Sequence, residues 1–267
     1  MTTAYSDLLA RLEEGVTTLT TSAGWRRYLD FQSRFHRYSF GNVLLIGTQC
    51  PEATQVAGFA TWRRLDRPVR KGEKAIWILA PLTVRDDDGG HRAVRGFRRV
   101  AVFDISQTEG AAPPAVCTRL AGGDPADLYG QLLDGARRLG FSVVDQAFSD
   151  GRNGDCLPAE RHIRIEAANP PAQRVKTLAH ELAHGLLHEH AGDRTRAELE
   201  AESTAYVVCG ALGLDAGAYS VGYVASWAGD GQRAITVIKE SCQSIQRAAV
   251  QILDAADRTG RADRAVA

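Results

Sequence analysis

No stretch of this sequence approaches the ~20 consecutive apolar residues that a membrane-spanning helix needs. Its first residues, Met1 to Asp7, also lack a basic segment followed by an apolar run, so neither a membrane span nor a secretory leader is expected. Cysteine is scarce and shows no paired spacing: Cys50, Cys117, Cys156, Cys209 and Cys242 form an odd, scattered set. That argues against a disulfide framework and a cysteine-based zinc site, and fits reduced thiols in the cytoplasm. Net charge is absent as well, with 32 Lys and Arg against 32 Asp and Glu, which selects no partner class for the whole chain. At 267 residues there is room for one large or two modest domains, each with its own core.

What is present is sharper. The run from Thr177 to His188 contains His180-Glu181-Leu182-Ala183-His184, the pattern H-E-x-x-H. On a helix, residues four apart share a face, so His180 and His184 can offer two imidazoles to one metal ion with Glu181 alongside. Pro170 and Pro171 suit the helix entrance, Leu178, Leu182, Leu186 and Leu187 recur at helical spacing, and Gly192 follows near a stop.

A zinc site of this type takes three protein ligands and leaves a fourth position open. The acidic run from Ala197 to Ala205 is the expected source of the third, on a helix that returns as an antiparallel neighbour. Glu198 and Glu202 lie four apart on one face, whereas Glu200 is rotated roughly 160° from both. Glu198 is the expected ligand and Glu202 the partner that orients a histidine, with the reverse assignment as the alternative. Zn2+ held this way acidifies water, and Glu181 is the expected catalytic base. His188 and His190 extend the stripe and read as partly exposed helix-end residues.

The amino-terminal half is cationic. Between Arg26 and Arg99, fifteen Lys or Arg stand against seven acids, interleaved with Trp25, Tyr28, Phe35, Tyr38, Phe40, Trp62 and Trp77. Cations for phosphates and rings for bases suit single-stranded nucleic acid, each stacked base being worth ~1–3 kcal/mol. Nothing suggests a helix for a duplex major groove, and core packing, of Trp77 above all, is the competing reading. Local pattern gives helices from Tyr5 to about Phe35 with a break at Gly24. A β-prone run follows the turn at Lys71-Gly72, then comes a turn at Asp86 to Gly90 and a partner strand ending at Ile105.

Beyond a linker-like stretch from Gln107 to Val116, Asp127 to Leu139 reads as an amphipathic helix, and Phe141 to Asp145 and His162 to Glu166 as strands. The last of these is either an edge that holds an extended peptide or an ordinary sheet member. Tyr219 and Tyr223 are candidate donors to a reaction oxyanion, with simple packing as the alternative. Ile235, Ile238, Ile245 and Ile252 form the stripe of a long closing helix.

Three segments carry a resemblance: Gly41-Asn42 with its apolar run to Ile46, Gly58 to Trp62, and Val69-Arg70-Lys71-Gly72-Glu73-Lys74. They are similar to the single-stranded-DNA-binding domain of ArdC-type antirestriction and related plasmid primase proteins. The H-E-x-x-H followed by Glu198-Leu199-Glu200-Ala201-Glu202 resembles the ImmA/IrrE-type zincin-like metallopeptidases, and that resemblance implies Glu198 as the third ligand. This chain departs from them in carrying Gly185, where an aromatic often follows the second histidine, and Ser39-Phe40 ahead of Gly41.

The expected fold class is α+β. A small amino-terminal α+β single-stranded-DNA-binding module spans 1–107, a linker 108–125, a zincin-like metallopeptidase domain 126–257 and a polar tail 258–267. Candidate DNA contacts are Arg37, Tyr38, Asn42, Trp62, Arg63, Arg64, Arg70, Lys71 and Lys74. The expected function is single-stranded-DNA binding joined to zinc-dependent peptidase chemistry in antirestriction or mobile-element biology, with DNA and a protein or peptide substrate as partners and no membrane. The alternatives are a peptidase that cleaves a repressor or other regulatory protein, and a non-catalytic DNA-coating protein with a structural metal.

Overall fold

The computed structural model describes residues 3–85, 92–111, 124–188, 193–214 and 231–257. They form a mixed α+β structure of two compact units, residues 3–17 with 41–111 and residues 18–40 with 124–257. Among the described residues, no helix is long and apolar enough to cross a membrane.

The first unit holds α1 (Thr3–Thr18), α3 (Phe40–Gln49), β1 (Val56–Gly58), α4 (Phe59–Arg64), β2 (Ile76–Arg85) and β3 (Arg92–Asp104). The turn read at Asp86 to Gly90 lies outside the described residues. The strands form an antiparallel sheet in the order β1-β3-β2. Strand alternation buries Ile76, Ile78, Ala80 and Val102 on one face and leaves Trp77, Phe97, Arg99 and Phe103 on the other. The outer edge of β2 is closed by side chains of α3. Asn42 and Gln49, seven residues apart, each donate to and accept from one β2 backbone: Asn42 with Leu79 at 2.9 Å in both directions, Gln49 with Trp77 at 2.9 and 3.0 Å. Two amides thus stand in for a neighbouring strand and blunt an otherwise sticky edge.

The second unit begins with α2 (Ser22–Arg34), which the sequence reading grouped with the amino-terminal half. Trp25, fully buried, donates its indole N–H to Ser203 Oγ at 3.3 Å. The break between α1 and α2 falls at Thr18 to Ser22 rather than at Gly24. Thr21 caps α2 by accepting from Gly24 N at 3.1 Å, and a Cβ on Gly24 would stand 1.9 Å from the Thr18 carbonyl oxygen. That glycine therefore belongs to the first turn of α2, where it permits a close approach to the preceding chain.

The rest of this unit comprises α5 (Pro125–Arg138), β4 (Ser142–Gln146), β5 (Gly154–Leu157), β6 (His162–Glu166), α6 (Pro171–Leu187), α7 (Arg194–Ala211) and α8 (Gly231–Ala256). Ile238, Ile245 and Ile252 of α8 are buried at seven-residue spacing, whereas Ile235 is half-buried. The sheet order is β4-β6-β5, with β4 parallel and β5 antiparallel to β6. His162–Glu166 is therefore the central strand, with both edges already paired, and cannot be a substrate-holding edge. Among the described residues the edge on this side of the sheet is β5, a strand the sequence reading did not name. Asn153 accepts from Glu166 N at 2.8 Å, so alternation turns the backbone groups of Gly154 and Cys156 toward the open side.

Candidate metal centre

Helix α6 starts at Pro170 and Pro171, where a missing N–H costs nothing. Its core face, Val175, Leu178, Ala179, Leu182 and Ala183, is fully buried, each larger side chain contributing roughly 1.5–3 kcal/mol. That anchoring presents His180, Glu181 and His184 to a cleft of about 630 Å³, bordered on the β5 side by Gly154, Asp155 and Cys156. A Cβ on Gly185 would lie 2.4 Å from the Phe141 ring and 3.3 Å from Cys156 Sγ. The buried Phe141 ring thus packs directly against this glycine.

Helix α7 is set by Asp193, whose side chain accepts from Thr195 N at 2.9 Å and Arg196 N at 3.3 Å. It delivers Glu198 to the same point as the histidines. His180 Nε2 and His184 Nε2 are 3.0 Å apart, and Glu198 Oε2 lies 3.5 Å from the first and 3.7 Å from the second. Two imidazole nitrogens and one carboxylate oxygen, all within 4.8 Å of one another, are a donor set that fits a divalent ion such as Zn2+. Glu202 sits behind this cluster, its Oε2 3.2 Å from His180 Nδ1 and its Oε1 2.7 Å from Lys176 Nζ. The geometry therefore puts Glu198 on the metal-facing side and Glu202 on the rear nitrogen.

Electrostatics follow from burial and these partners. Burial, with the charges of Asp155 and Glu198 adding and His180 opposing, pushes Glu181 up to about 7. Burial, reinforced by His180 and His188, holds His184 down at about 4, so it stays a neutral ligand-competent imidazole. The His180 bond, helped by Lys176, holds Glu202 at about 2 against burial. Burial, with Glu181 and Asp155, drives the Cys156 thiol up to about 12 and keeps it protonated.

Two participants escaped the sequence reading. His188 is the partly exposed helix end that was expected, yet its Nδ1 lies 3.2 Å from His184 Nδ1 and its Nε2 3.1 Å from Glu200 Oε2. Glu200, rotated away from Glu198 and Glu202, is only 4 % exposed. The four-residue step from His184 to His188 was the available signal. His190, Tyr219 and Tyr223 lie outside the described residues.

The nine candidate DNA contacts are divided between the two units. Arg37 and Tyr38 belong to the second unit, Arg37 paired with Asp254 at 3.0 Å and Tyr38 edge-on to Phe35. Trp62 is 3 % exposed and donates to the Phe103 carbonyl at 2.8 Å, so its ring is core rather than a stacking surface. Asn42 is likewise committed to the β2 edge. Arg63, Arg64, Arg70, Lys71 and Lys74 are exposed, and the last three sit on a loop pinned by Arg70 N to the Gln107 carbonyl and by Gln107 Nε2 to the Lys74 carbonyl.

The rings that do face outward are on the open side of the first sheet. Phe59 and Phe97 are 52 % and 51 % exposed, and Arg99 lies with its guanidinium carbon 3.8 Å from the Trp77 ring centre. Strands β2 and β3 together carry five arginines and a single acid, Asp104, which is buried and accepts from Thr54 N and Gln55 N.

Comparison with known proteins matches both halves. Residues 2–103 fit the family model of the N-terminal domain of anti-restriction factor ArdC, and residues 137–216 fit that of the IrrE N-terminal-like domain, a peptidase family. An uncharacterized protein of Bacillus anthracis, pXO2-81, is 26% identical over 273 residues; the match covers 82% of this chain but only 44% of that protein. The Mn(II)-bound crystal structure of the antirestriction ArdC protein from the R388 plasmid is 22% identical, with a TM-score of 0.51 over 82% of this chain and 85% of that one, which shows a shared fold. Its metal-free form, also at 22% identity, gives a TM-score of 0.47 over 81% and 84%. The chain thus joins a region that matches the ArdC N-terminal domain to one that matches an IrrE-like domain, and in that order it resembles ArdC-like proteins.

Proposed function

We propose that this chain is a zinc-dependent peptidase tethered to a single-stranded-DNA-binding domain, acting in the cytoplasm in antirestriction or mobile-element biology. The observation that carries the enzymatic half is the convergence of His180 Nε2, His184 Nε2 and Glu198 Oε2 beside the buried carboxyl of Glu181. When bound there, Zn2+ supplies Lewis acidity toward water and toward a substrate carbonyl. Glu181, placed near 7 by its surroundings, is poised to take a proton from the attacking water and return it to the departing amine. Glu202 fixes the ring of His180 from behind. The open edge of β5 borders the same cleft and suits an extended peptide by strand addition.

Support for the DNA half comes from the arginine-rich hairpin, its outward-facing rings and the exposed cations of α4 and the pinned loop. Three measurements test the whole reading. Purified wild type should contain about one zinc per chain, cleave an unstructured protein such as casein, and bind a labelled single-stranded oligonucleotide more tightly than duplex. Glu181→Gln should keep zinc and DNA binding and lose cleavage, while His180→Ala should lose zinc. Glu181→Gln with undiminished biological effect would favour a DNA-coating protein with a structural metal instead.

A further inference from the structure

Each metal-facing histidine has its rear nitrogen held. For His180 the holder is Glu202, on the acidic helix and read from the sequence; for His184 it is a chain of groups outside the H-E-x-x-H pattern. His184 Nδ1 lies 3.2 Å from His188 Nδ1, His188 Nε2 lies 3.1 Å from Glu200 Oε2, and Glu200 Oε1 accepts from Arg196 Nε at 2.7 Å and Ser241 Oγ at 2.6 Å. Glu200 is 4 % exposed and Ser241 fully buried, so this chain runs through the interior from the metal centre to α8.

We propose that His188 and Glu200 are positioning residues of the metal centre: they fix the tautomer of His184 that aims a lone pair at the ion, and through Ser241 they tie metal affinity to the seating of α8. This inference rests on the metal-centre reading above.

The argument is one of donors and acceptors. Glu200, bonded by Arg196 and Ser241, is a carboxylate and only accepts, so the proton in its contact with His188 belongs to His188 Nε2. A His188 with one ring proton then carries its lone pair on Nδ1. The proton shared between the two Nδ1 atoms is therefore that of His184, whose remaining lone pair falls on Nε2, the nitrogen turned toward His180 Nε2 and Glu198. A carboxylate two links away thus sets the direction in which His184 can bind a metal. Packing alone gives no reason for a buried carboxylate to meet a histidine side chain at this distance.

The test uses the full chain. Zn2+ affinity is measured by competition with a chromophoric chelator, and the histidine tautomers of the metal-free protein by 15N NMR, in wild type, His188→Ala, His188→Gln and Ser241→Ala. Glutamine can accept from His184 and donate to Glu200, so it is the conservative rescue. The expected result is a roughly 10–100-fold loss of Zn2+ affinity in His188→Ala, a smaller loss in His188→Gln and Ser241→Ala, and a shift of His184 away from the Nδ1–H form in His188→Ala. If His188→Ala does not fold, His188→Gln and Ser241→Ala carry the same readouts. Zn2+ affinity and His184 tautomer both unchanged, with only a lower melting temperature, would overturn the proposal while leaving the metal reading intact. Wild type that binds no Zn2+, with His184 still in the Nδ1–H form and shifted by His188→Ala, would keep the relay and sink the metal reading.

Discussion

Glu181 offers a measurement that depends on the site's electrostatics alone. The side chain is only 9 % exposed, and burial, followed by the charges of Asp155 and Glu198, moves its carboxyl from an ordinary 4.5 up to about 7 in the metal-free fold. Because the folded value is raised, the native state holds a proton that the unfolded chain has lost between those two values. Stability must therefore fall as pH climbs through that window and level off above about 7. A displacement of that size, at about 1.36 kcal/mol per unit, amounts to roughly 3 kcal/mol at pH 8. Glutamine keeps the shape without the charge. Glu181→Gln in EDTA-treated protein should accordingly match the wild type near pH 4 and exceed it by about 2–3 kcal/mol at pH 8, read from urea denaturation at a series of pH values. Restoring Zn2+ should shrink the gap, since a divalent charge beside the carboxylate offsets its burial. A difference that stays flat from pH 4 to pH 8, or a variant less stable than wild type at pH 8, would refute the reasoning.

Other substitutions separate structural from functional roles. Trp62→Phe removes the bond to the Phe103 carbonyl and should cost about 1 kcal/mol of stability with no change in oligonucleotide affinity. Phe97→Ala, on a half-exposed ring, should leave the melting temperature alone and weaken single-stranded binding by ~1–3 kcal/mol, measured by fluorescence anisotropy. Arg99→Ala should flatten the salt dependence of that binding by about 0.7 in log–log slope if it meets one phosphate. Gly185→Ala drives a Cβ into the buried Phe141 ring and should lower stability by ~1–3 kcal/mol in thermal melts.

The H-E-x-x-H helix was legible because its candidate ligands and its apolar stripe share one period. His180, Glu181, His184 and the leucine stripe all repeat at the spacing of a single helix, and Glu198 with Glu202 repeat at the spacing of the next. Where contact depends on tertiary placement, the sequence is silent. Trp62 and Asn42 look like the basic, aromatic residues that bind nucleic acid, yet one closes the core through Phe103 and the other closes the edge of β2. Trp77, for which core packing between two isoleucines was the competing reading, faces the other way, because alternation along β2 puts its neighbours inside and its own ring under Arg99. Strand β5 hid for a different reason. Four residues after a Gly- and Asp-rich turn carry no alternation of their own, and only pairing with β6 defines them. Gly24 misled because glycine is read as a break, whereas here it is the residue that lets a helix begin so close to the preceding carbonyl.

The charges around the cleft sort into compensated and uncompensated sets. Glu202 is offset by Lys176, Glu200 by Arg196, and Asp155 by Arg152 and Arg164. Glu198 pairs with the two histidines, one of which stays neutral, and Glu181 is kept near 7 by burial with His180 opposing. Two carboxylates whose main basic neighbours are these imidazoles match the charge of one divalent ion. Burial favours the protonated form of Glu181 below about pH 7, so metal binding in that range should be coupled to release of its proton. Zn2+ affinity should therefore rise with pH up to about 7 in the wild type, and Glu181→Gln should flatten that rise while leaving the three ligands untouched.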